Sequence, residues 1–420
     1  MPVFDEVVLS TTNMSRILSI DAAAGVAVAQ AGVVLEALDT ALAEHGLCVP
    51  LDLGAKGSCQ LGGNVSTNAG GLRLLRYGSL HGSVLGLEVV LPDGRVLDLL
   101  RTLRKDNTGF DLRQLFIGAE GALGVVTAVS LLAPPRPTSV QVAFLAVASF
   151  EAVLATLARA RASLGEVLSA AEFLDRASLE LCVAKLDGAR DPLPDTRGAH
   201  YMVVETSGSN AAHDREKLDA FLEAALEAGD VLDGTVAADG AQAKALWRLR
   251  EGVTEALVKS GAVYKYDVSM PQHRMYELVD AMRARLPDAL VVGYGHVGDG
   301  NLHLSASLRA ACAPHSASLR AASDSHDAAA HALTPADVST PAHDPGVLAR
   351  IEPFVYEWTR DARGSISAEH GLGLMKAAAI GYSKSPEAIA IMRQLKQVFD
   401  PQGILNPHKV LPPPGAEVPP

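Results

Sequence analysis

The first third of the chain alternates short apolar runs with glycines and turn residues. Gly86–Leu91 is such a run, and it ends at Pro92-Asp93-Gly94, which favours a tight turn. Similar runs recur from Met1 to about Pro137. This pattern predicts several strands mixed with short helices, which is an α+β arrangement.

The segment Ala133–Pro137 can continue neither a strand nor a helix, because its prolines lack the amide hydrogen that either element needs. We place a domain boundary there. Beyond it, apolar positions follow helical and strand spacing in turn. Predicted helices are Glu151–Ala162, Arg215–Ala228 and Ala241–Lys259, and predicted strands are Met202–Glu205, Val263–Ser269 and Leu290–Tyr294. The second domain is therefore also α+β.

Two stretches lack this periodicity. Between about Ser305 and Ala349 the sequence turns to Ala, Ser, His and Pro, which is typical of a surface insertion with little apolar area to bury. The proline-rich end predicts a disordered tail at 414–420. These limits give a first domain over 1–135 and a second over 136–413, with the insertion at about 306–348.

Composition narrows the class of protein. A length of 420 residues with 48% hydrophobic residues suits two globular domains. The net charge of -12 argues against a nucleic-acid partner, since such proteins gather Lys and Arg on one face. The four cysteines show no CxxC spacing, which favours a reducing compartment. No apolar run approaches the roughly 18 residues of a membrane span. The start resembles neither a signal nor a transit peptide, so we expect a cytosolic protein or one without its targeting end.

The densest glycine cluster is Leu61–Gly71, followed by Arg76-Tyr77-Gly78-Ser79. Glycine lets the backbone approach a ligand closely, and Ser66, Thr67 and Asn68 offer short hydrogen-bonding groups to a phosphate or a ring edge. An ordinary cluster of turns is the alternative. The cluster is neither the G-x-G-x-x-G of a dinucleotide fold nor a P-loop, which disfavours a nicotinamide enzyme.

A second glycine-rich segment surrounds Glu120. Gly118, Gly121 and Gly124 recur at intervals of three and lead into the β-branched run Val125-Val126-Thr127. Such a segment can lay main-chain amides along a ligand. A helix end and tight turn before an edge strand would produce the same pattern.

Two histidines flank the turn signal Asp299-Gly300. A two-residue hairpin there predicts that His296 lies directly opposite His303, with Cβ atoms about 4.5–5.5 Å apart. Such a pair can share one divalent metal, and Glu369, beside His370, supplies a carboxylate ligand. Two His and one carboxylate leave coordination positions open, as a catalytic site requires. Two surface histidines are the alternative.

Cationic side chains offer sites for a carboxylate. On the predicted helix Ala241–Lys259, Arg250 and Thr254 are separated by four residues and lie on one face, where they can bind one carboxylate together. On the following strand, Lys265 shares a face with Asp267 and can point into the same cleft. An exposed helical arginine and a surface Lys265–Asp267 pair are the alternatives.

Together, these four signals resemble the vanillyl-alcohol-oxidase-type FAD flavoproteins, and within that family its members that oxidise D-2-hydroxyglutarate. The resemblance runs from Pro2 to about Pro413, the insertion excepted. It implies an FAD-binding domain, an α+β substrate domain, and a short C-terminal helical segment that returns to the flavin. The implied FAD contacts are Gly62, Gly63, Asn64, Ser66, Thr67, Asn68, Gly70, Gly71, Tyr77, Gly78, Glu120, Gly121, Gly124, Val125, Val126 and Asn406.

The resemblance also implies roles in the reaction. His296, His303 and Glu369 correspond to the zinc ligands of the family, and five further residues correspond to its substrate-contacting residues. Those residues are Arg250, Thr254, Lys265, Ser305 and His370, with His370 as the base. Zinc would act as a Lewis acid on the hydroxyl. A 2-hydroxy dicarboxylate is the expected substrate, an electron-transfer flavoprotein the expected acceptor, and the mitochondrial matrix the expected location.

Two departures from the family pattern affect these expectations. The family's domain begins upstream with a targeting segment and a pyrophosphate loop, and this chain starts after both, so we expect weak FAD retention. Ser305 stands where the family has a substrate-contacting asparagine, so the resemblance predicts the type of reaction more firmly than the identity of the substrate. D-lactate or glycolate dehydrogenase and an inactive zinc-binding fragment therefore remain alternatives.

Overall fold

The computed structural model describes residues 7–308, 344–413, 415–416 and 418–419. The N-terminal part forms a five-stranded antiparallel sheet in the order β1-β2-β5-β3-β4. Its strands are β1 (Ile17–Asp21), β2 (Val26–Gln30), β3 (Val84–Val90), β4 (Val96–Leu99) and β5 (Val125–Leu132). Four helices lie between β2 and β3, namely α1 (Leu35–Ala43), α2 (Leu61–Thr67), α3 (Leu74–Tyr77) and α4 (Leu80–Ser83).

A second, seven-stranded antiparallel sheet follows in the order β10-β12-β11-β7-β8-β6-β9. Its strands are β6 (Ser139–Val147), β7 (Leu168–Asp175), β8 (His200–Gly208), β9 (Val231–Val236), β10 (Val263–Ser269), β11 (Ala289–His296) and β12 (Asn301–Leu308). Its helices are α5 (Phe150–Leu164), α6 (Arg176–Lys185), α7 (Ala211–Glu227), α8 (Gly240–Glu251), α9 (Val253–Val258) and α10 (Met275–Arg285). The C-terminal part adds α11 (Pro345–Ile351), α12 (Phe354–Asp361) and α13 (Pro386–Phe399).

The two faces of the seven-stranded sheet are covered differently. One face packs against α5, α7 and α10, and the other packs against α6 and α8. Because side chains alternate along a strand, Leu302 and Leu304 of β12 enter the first core. His303 and Ser305 therefore face the α8 side. We call the α8 side the polar face, since buried charged side chains interrupt its core near β11 and β12.

The α+β expectation is confirmed, and the strand predicted over Val263–Ser269 has those bounds in the structure. The limits of the insertion are partly wrong. Residues Ser305–Leu308 belong to β12, where they pair with β10 and β11, and Pro345–Ala349 belong to α11. Positions 309–343 lie outside the described residues, as do 414, 417 and 420 of the predicted tail. Within the described ranges, no helix is long and apolar enough to cross a membrane.

The single helix predicted over Ala241–Lys259 is wrong as well, because Gly252 separates α8 from α9. A Cβ at Gly252 would lie 2.4 Å from Leu186 Cδ1 and 2.5 Å from the carbonyl oxygen of Arg248. The end of α6 thus packs directly on the backbone at this junction. Only glycine leaves room for that approach.

His200 on β8 is a buried imidazole between aromatic rings. Its ring centroid lies 4.3 Å from that of Tyr276 and 5.8 Å from that of Phe150. Neither ring nitrogen has a hydrogen-bond partner among the described residues. Burial lowers the pKa of His200, since a charge there would lose its hydration.

We expect this histidine to make the fold sensitive to acid. A lowered folded-state pKa contributes stability that is complete above the unfolded value, about 6.5, and is lost as the pH falls below it. His200→Phe should therefore lose less thermal stability than the wild type between pH 7.5 and pH 5.5. The exposed His273→Gln is the control. Equal losses in wild type and His200→Phe, measured as melting temperatures, would contradict the assignment.

Candidate active site

The hairpin between β11 and β12 differs from the predicted one in its register. Its loop has four residues, Val297–Gly300, and the strands pair His296 with Asn301 and Tyr294 with His303. The expectation of directly opposed histidines is therefore wrong. The amides of Asp299 and Gly300 both donate to the carbonyl oxygen of His296, so β11 ends two residues earlier than a two-residue turn at Asp299-Gly300 would require.

The two histidines still meet, as diagonal neighbours on the polar face. Their ring centroids are 5.2 Å apart. Glu369 approaches from the segment after α12, and its Oε1 lies 3.6 Å from Nε2 of His296. One ligand atom from each of His296, His303 and Glu369 fits within a 4.8 Å span. Two ligands on one tetrahedral metal at about 2.0–2.1 Å lie about 3.4 Å apart, so these three side chains fit a metal of that kind.

Glu172 on β7 orients the first of these histidines. Its Oε1 lies 2.8 Å from Nδ1 of His296. A carboxylate can only accept, so Nδ1 carries a hydrogen, and Nε2 is the atom that faces Glu369 and can bind a metal once it has no proton. Burial opposes charging of His296, but the Glu172 carboxylate outweighs it, and the pKa of His296 is raised. A metal at Nε2 must therefore compete with a proton.

His303 has the opposite electrostatics. Burial lowers the pKa of His303 well below its usual value, and the neighbouring His296 and Arg250 lower it further. The ring is therefore neutral at physiological pH. Neutral imidazole is the form that binds a metal.

Asp267 on β10 fixes the segment that carries Glu369 and His370. Its buried Oδ2 accepts from the amides of Glu369, at 2.8 Å, and His370, at 3.1 Å. Asn301 donates to Oδ1 at 2.8 Å. The His370 side chain is 68% exposed, and its Nδ1 lies 3.4 Å from Asp267 Oδ2. The other ring nitrogen of His370 thus remains available to a substrate.

The N-terminal part of the chain reaches the same site through a main-chain amide. Gly71 donates to Glu369 Oε1 at 2.6 Å. A Cβ at Gly70 would lie 2.6 Å from that oxygen, so a larger residue there would displace the Glu369 carboxylate from its present position. Nearby, Nη2 of Arg73 lies 3.3 Å from carboxylate oxygens of both Asp52 and Glu205, which connects the N-terminal part of the chain to β8 of the seven-stranded sheet.

Arg250 is buried, so the alternative of an exposed helical arginine is wrong. It is 4% exposed and sits 5.1 Å above the ring of Tyr294. Its Nη2 lies 2.8 Å from Glu172 Oε2. Thr254, one turn along on α9, has its hydroxyl 2.9 Å from that of Tyr294. Tyr294 therefore joins the two residues that the sequence placed on one helical face.

Lys265 and Ser305 lie opposite each other on β10 and β12, on the polar face. Ser305 is 1% exposed, whereas Lys265 is exposed. Burial of part of the Lys265 side chain lowers its pKa. Lys265 precedes Asp267 by one alternation of the strand, so it lies on the same face and flanks the histidine cluster at its solvent-exposed, open side.

The first glycine cluster is mostly helical and not a series of turns. Residues Leu61–Thr67 form α2, and Asn68 ends it with a left-handed backbone (φ 48°). The Ser66 and Thr67 hydroxyls donate to the carbonyl oxygens of Gly62, at 2.7 Å, and Gly63, at 3.1 Å. They are therefore less available to a phosphate than the sequence suggested.

Other implied flavin contacts remain open to a ligand. A Cβ at Gly63 or Gly78 would meet nothing within 4 Å. Asn64 is buried, and its Oδ1 has no hydrogen-bond partner among the described residues. An orphaned acceptor beside unobstructed glycine backbone suits a polar cofactor edge. Val125 and Val126 begin β5, and Gly124 packs against Val89 and Phe116.

Glu120 and Asn406 attach the C-terminal segment to the first domain. Glu120 accepts from the amides of Leu372 and Gly373, each at 2.8 Å. The Asn406 side chain donates to the carbonyl oxygen of Glu120 at 2.5 Å. The side chains of Glu120 and Asn406, both implied FAD contacts, are thus already engaged in hydrogen bonds within the chain. Tyr77, another implied FAD contact, has its hydroxyl 3.8 Å from Cys48 Sγ.

Sequence reasoning missed three residues of the site, Glu172, Asp267 and Tyr294, as functional groups. Each lies in a strand of mostly apolar residues. A carboxylate in the middle of a mostly apolar strand was the available signal for Glu172, since an unpaired charge is costly to bury.

Comparison with known proteins identifies the architecture. A family model described as "FAD linked oxidases, C-terminal domain" matches residues 136–334 and 327–410. A second, described as "FAD binding domain", matches residues 1–100. Among solved structures, a 4-ethylphenol oxidase from Gulosibacter chungangensis has a TM-score of 0.63 at 17% identity, covering 96% of this chain and 80% of that one. At this identity the likeness establishes the fold alone.

Relatives at higher identity cover almost the whole chain. The mitochondrial D-2-hydroxyglutarate dehydrogenase of Arabidopsis thaliana is 52% identical over 98% of this chain and 68% of its own length. A putative mitochondrial D-lactate dehydrogenase of Schizosaccharomyces pombe is 49% identical over 97% of this chain and 74% of its own. The chain thus spans about two thirds of the first relative's length.

We expect Glu120 to hold the C-terminal segment in place. Glu120→Ala should leave the Leu372 and Gly373 amides without acceptors, at a cost of about 1–3 kcal/mol, and accelerate their hydrogen exchange roughly 10-fold or more. Glu255→Ala, which removes only an exposed pair with Lys259, is the control. Hydrogen-exchange mass spectrometry of the 371–373 region measures the effect. Unchanged protection in Glu120→Ala would refute the contact.

Proposed function

Because the chain belongs to the FAD-linked oxidases of the D-2-hydroxyglutarate dehydrogenase family, we propose that it oxidises D-2-hydroxyglutarate to 2-oxoglutarate at a zinc-assisted site. The observation that carries the proposal is the convergence of two histidines, a carboxylate and two cations on the polar face. The chemistry needs a hydroxyl activator, a base and carboxylate partners. Each has a candidate among these side chains.

His296, His303 and Glu369 are the residues that would hold zinc. They supply the nitrogen and oxygen donors that this metal accepts, and three protein ligands leave a position for a substrate. Zinc would supply Lewis acidity to the substrate hydroxyl. The orientation of His296 by Glu172 and of Glu369 by Gly71 supports this assignment, because metal ligands are usually held by such outer contacts.

His370 is the proposed base. Oxidation removes a hydride from C2 and a proton from the hydroxyl, so a group near the hydroxyl must accept that proton. Asp267 faces Nδ1 of His370, which favours a hydrogen on that nitrogen and leaves Nε2 to take the proton. Its exposure keeps the imidazole within reach of solvent, to which the proton can then pass.

Arg250 and Lys265 are the proposed partners of the two substrate carboxylates. Arg250 Nη2 is paired with Glu172, but the buried Nε makes no hydrogen bond among the described residues, so it can donate to a carboxylate. Lys265 at the open side suits the far carboxylate. Two separated cations favour a dicarboxylate over a monocarboxylate such as lactate. Thr254 and Ser305 would line the space between them.

FAD, when bound, supplies the acceptor for the two electrons. Reduced flavin must be reoxidised, and we propose an electron-transfer flavoprotein as the acceptor protein. The mitochondrial name of the Arabidopsis thaliana relative supports a mitochondrial location, and we propose the matrix.

The reaction is tested with the flavin-containing protein and an artificial electron acceptor. D-2-hydroxyglutarate should give 2-oxoglutarate with a higher kcat/KM than D-lactate, and the L-enantiomer should not react. D-lactate dehydrogenase is the second candidate, favoured by the name of the Schizosaccharomyces pombe relative. A higher kcat/KM for D-lactate would decide for it.

We expect either His296→Ala or His303→Ala to remove bound zinc together with turnover, because two ligands no longer make a catalytic zinc site. Atomic spectroscopy of the purified variants measures the metal. The exposed His45→Ala is the control and should keep both properties. Unchanged zinc content in both site variants would place the metal elsewhere.

We expect Lys265→Met to affect the dicarboxylate selectively. Loss of one charged hydrogen bond, about 1.5–3 kcal/mol, should raise KM for D-2-hydroxyglutarate roughly 10-fold or more. KM for D-lactate, which lacks the second carboxylate, should not change. Steady-state kinetics with both substrates test this, and the exposed Lys244→Met is the control. A parallel rise for both substrates would exclude this role.

A further inference from the structure

Glu172 is among the most deeply buried charges on the polar face. It lies near the end of β7 and is 1% exposed. Its neighbours on the same face of the strand, Ala170 and Leu174, belong to an apolar core. A carboxylate in such surroundings is stable only with partners of opposite charge or strong hydrogen bonds. The identity of those partners indicates what the residue does.

The two oxygens of Glu172 have different partners. Oε1 lies 2.8 Å from Nδ1 of His296, and Oε2 lies 2.8 Å from Nη2 of Arg250. The first contact fixes the ring of a proposed zinc ligand. The second fixes a guanidinium whose buried Nε has no partner in the described part of the chain. The Glu172 side chain thus contacts both a proposed zinc ligand, His296, and the proposed partner of a substrate carboxylate, Arg250.

The ring of Tyr294 limits the alternatives for Arg250. The guanidinium carbon lies over this ring, 5.1 Å from its centroid, so the ring limits access to the cation from that side. With Nη2 paired to Glu172, Nε is a buried donor that has no partner among the described residues. A carboxylate that binds Nε is oriented by Glu172 through the guanidinium, without contacting Glu172 itself.

We propose that Glu172 is a positioning residue that sets the zinc ligand His296 and the substrate-binding Arg250 in register with each other. The inference rests on the proposed function, because it takes zinc and a carboxylate as the ligands of those two residues. Its charge increases the basicity of His296 toward a metal and compensates the buried cation of Arg250. Zinc affinity and substrate affinity therefore share one determinant.

The chain provides a matched control on the same strand. Asp175 is also 1% exposed and ion-paired, with Arg283 at 2.6 Å. It points to the opposite face of the sheet, where it also accepts from the amide of Gly293. Asp175→Asn and Glu172→Gln thus remove comparable buried charges from β7. Only Glu172→Gln touches the proposed site.

The experiment measures zinc affinity by competition with a chromophoric chelator, and KM and kcat for D-2-hydroxyglutarate in excess zinc. We expect Glu172→Gln to raise the zinc dissociation constant about 10–100-fold. KM should rise roughly 10-fold or more, because Arg250 loses its fixed orientation. Excess zinc should restore kcat but not KM. Asp175→Asn should leave zinc affinity and KM unchanged, even if it lowers the melting temperature.

Glu172→Gln leaves Arg250 as an unpaired buried charge, which can destabilise the fold. A double variant removes that effect. Glu172→Gln combined with Arg250→Gln leaves neither buried charge, and we expect it to fold and still bind zinc weakly. Return of wild-type zinc affinity in the double variant would mean that Glu172 only neutralises Arg250, which overturns the proposal. Wild-type values in Glu172→Gln, or equal effects of Asp175→Asn, would overturn it too.

Failure of the underlying function gives a different result. If the wild-type protein binds no zinc or does not oxidise the substrate, the proposed function fails before any variant is made. The contact to His296 is then judged by nitrogen NMR of histidine-labelled, metal-free protein. Hydrogen fixed on Nδ1 of His296 in the wild type, and lost in Glu172→Met, supports the positioning contact. The same tautomer in both would refute it.

Discussion

The cost of burying charge governs the polar face of the seven-stranded sheet. Glu172, Arg250, Asp267 and Glu205 are each nine-tenths or more buried. None of them is stable there alone, since an isolated buried charge costs several kcal/mol. Each is therefore held by partners from other elements, and those partners fix how the helices and loops pack around the histidines. The geometry of the site is a consequence of neutralising these charges.

These partners come from distant parts of the sequence. Glu369 is held by the amide of Gly71 and, through its own amide, by Asp267. Glu120 binds the residues that follow, at Leu372 and Gly373. The segment around Glu369 has little regular structure of its own, so its conformation depends on contacts with both sheets. The site is therefore complete only when the two parts of the chain are packed together.

The sequence predicted features that depend on neighbouring residues and missed features that depend on contacts between residues distant in the chain. Alternation of apolar residues predicted Val263–Ser269 as a strand, since that signal is local. The predicted register of the hairpin that carries His296 was wrong, because the Asp299-Gly300 signal is also compatible with a four-residue loop. The break at Gly252 depends on Leu186 packing on the backbone, and the pairing of Glu172 with Arg250 joins β7 to α8. Neither long-range contact leaves a local pattern.

The hydrogen bond from Gly71 to Glu369 has a thermodynamic consequence for the two cofactors. It joins a backbone segment implied in flavin binding to a proposed metal ligand. If one cofactor restricts this segment to the conformation that the other requires, each increases the affinity for the other by the same factor, as linkage demands. Loss of either cofactor would then weaken retention of the second. A single amide hydrogen can in this way make the holoenzyme assemble cooperatively.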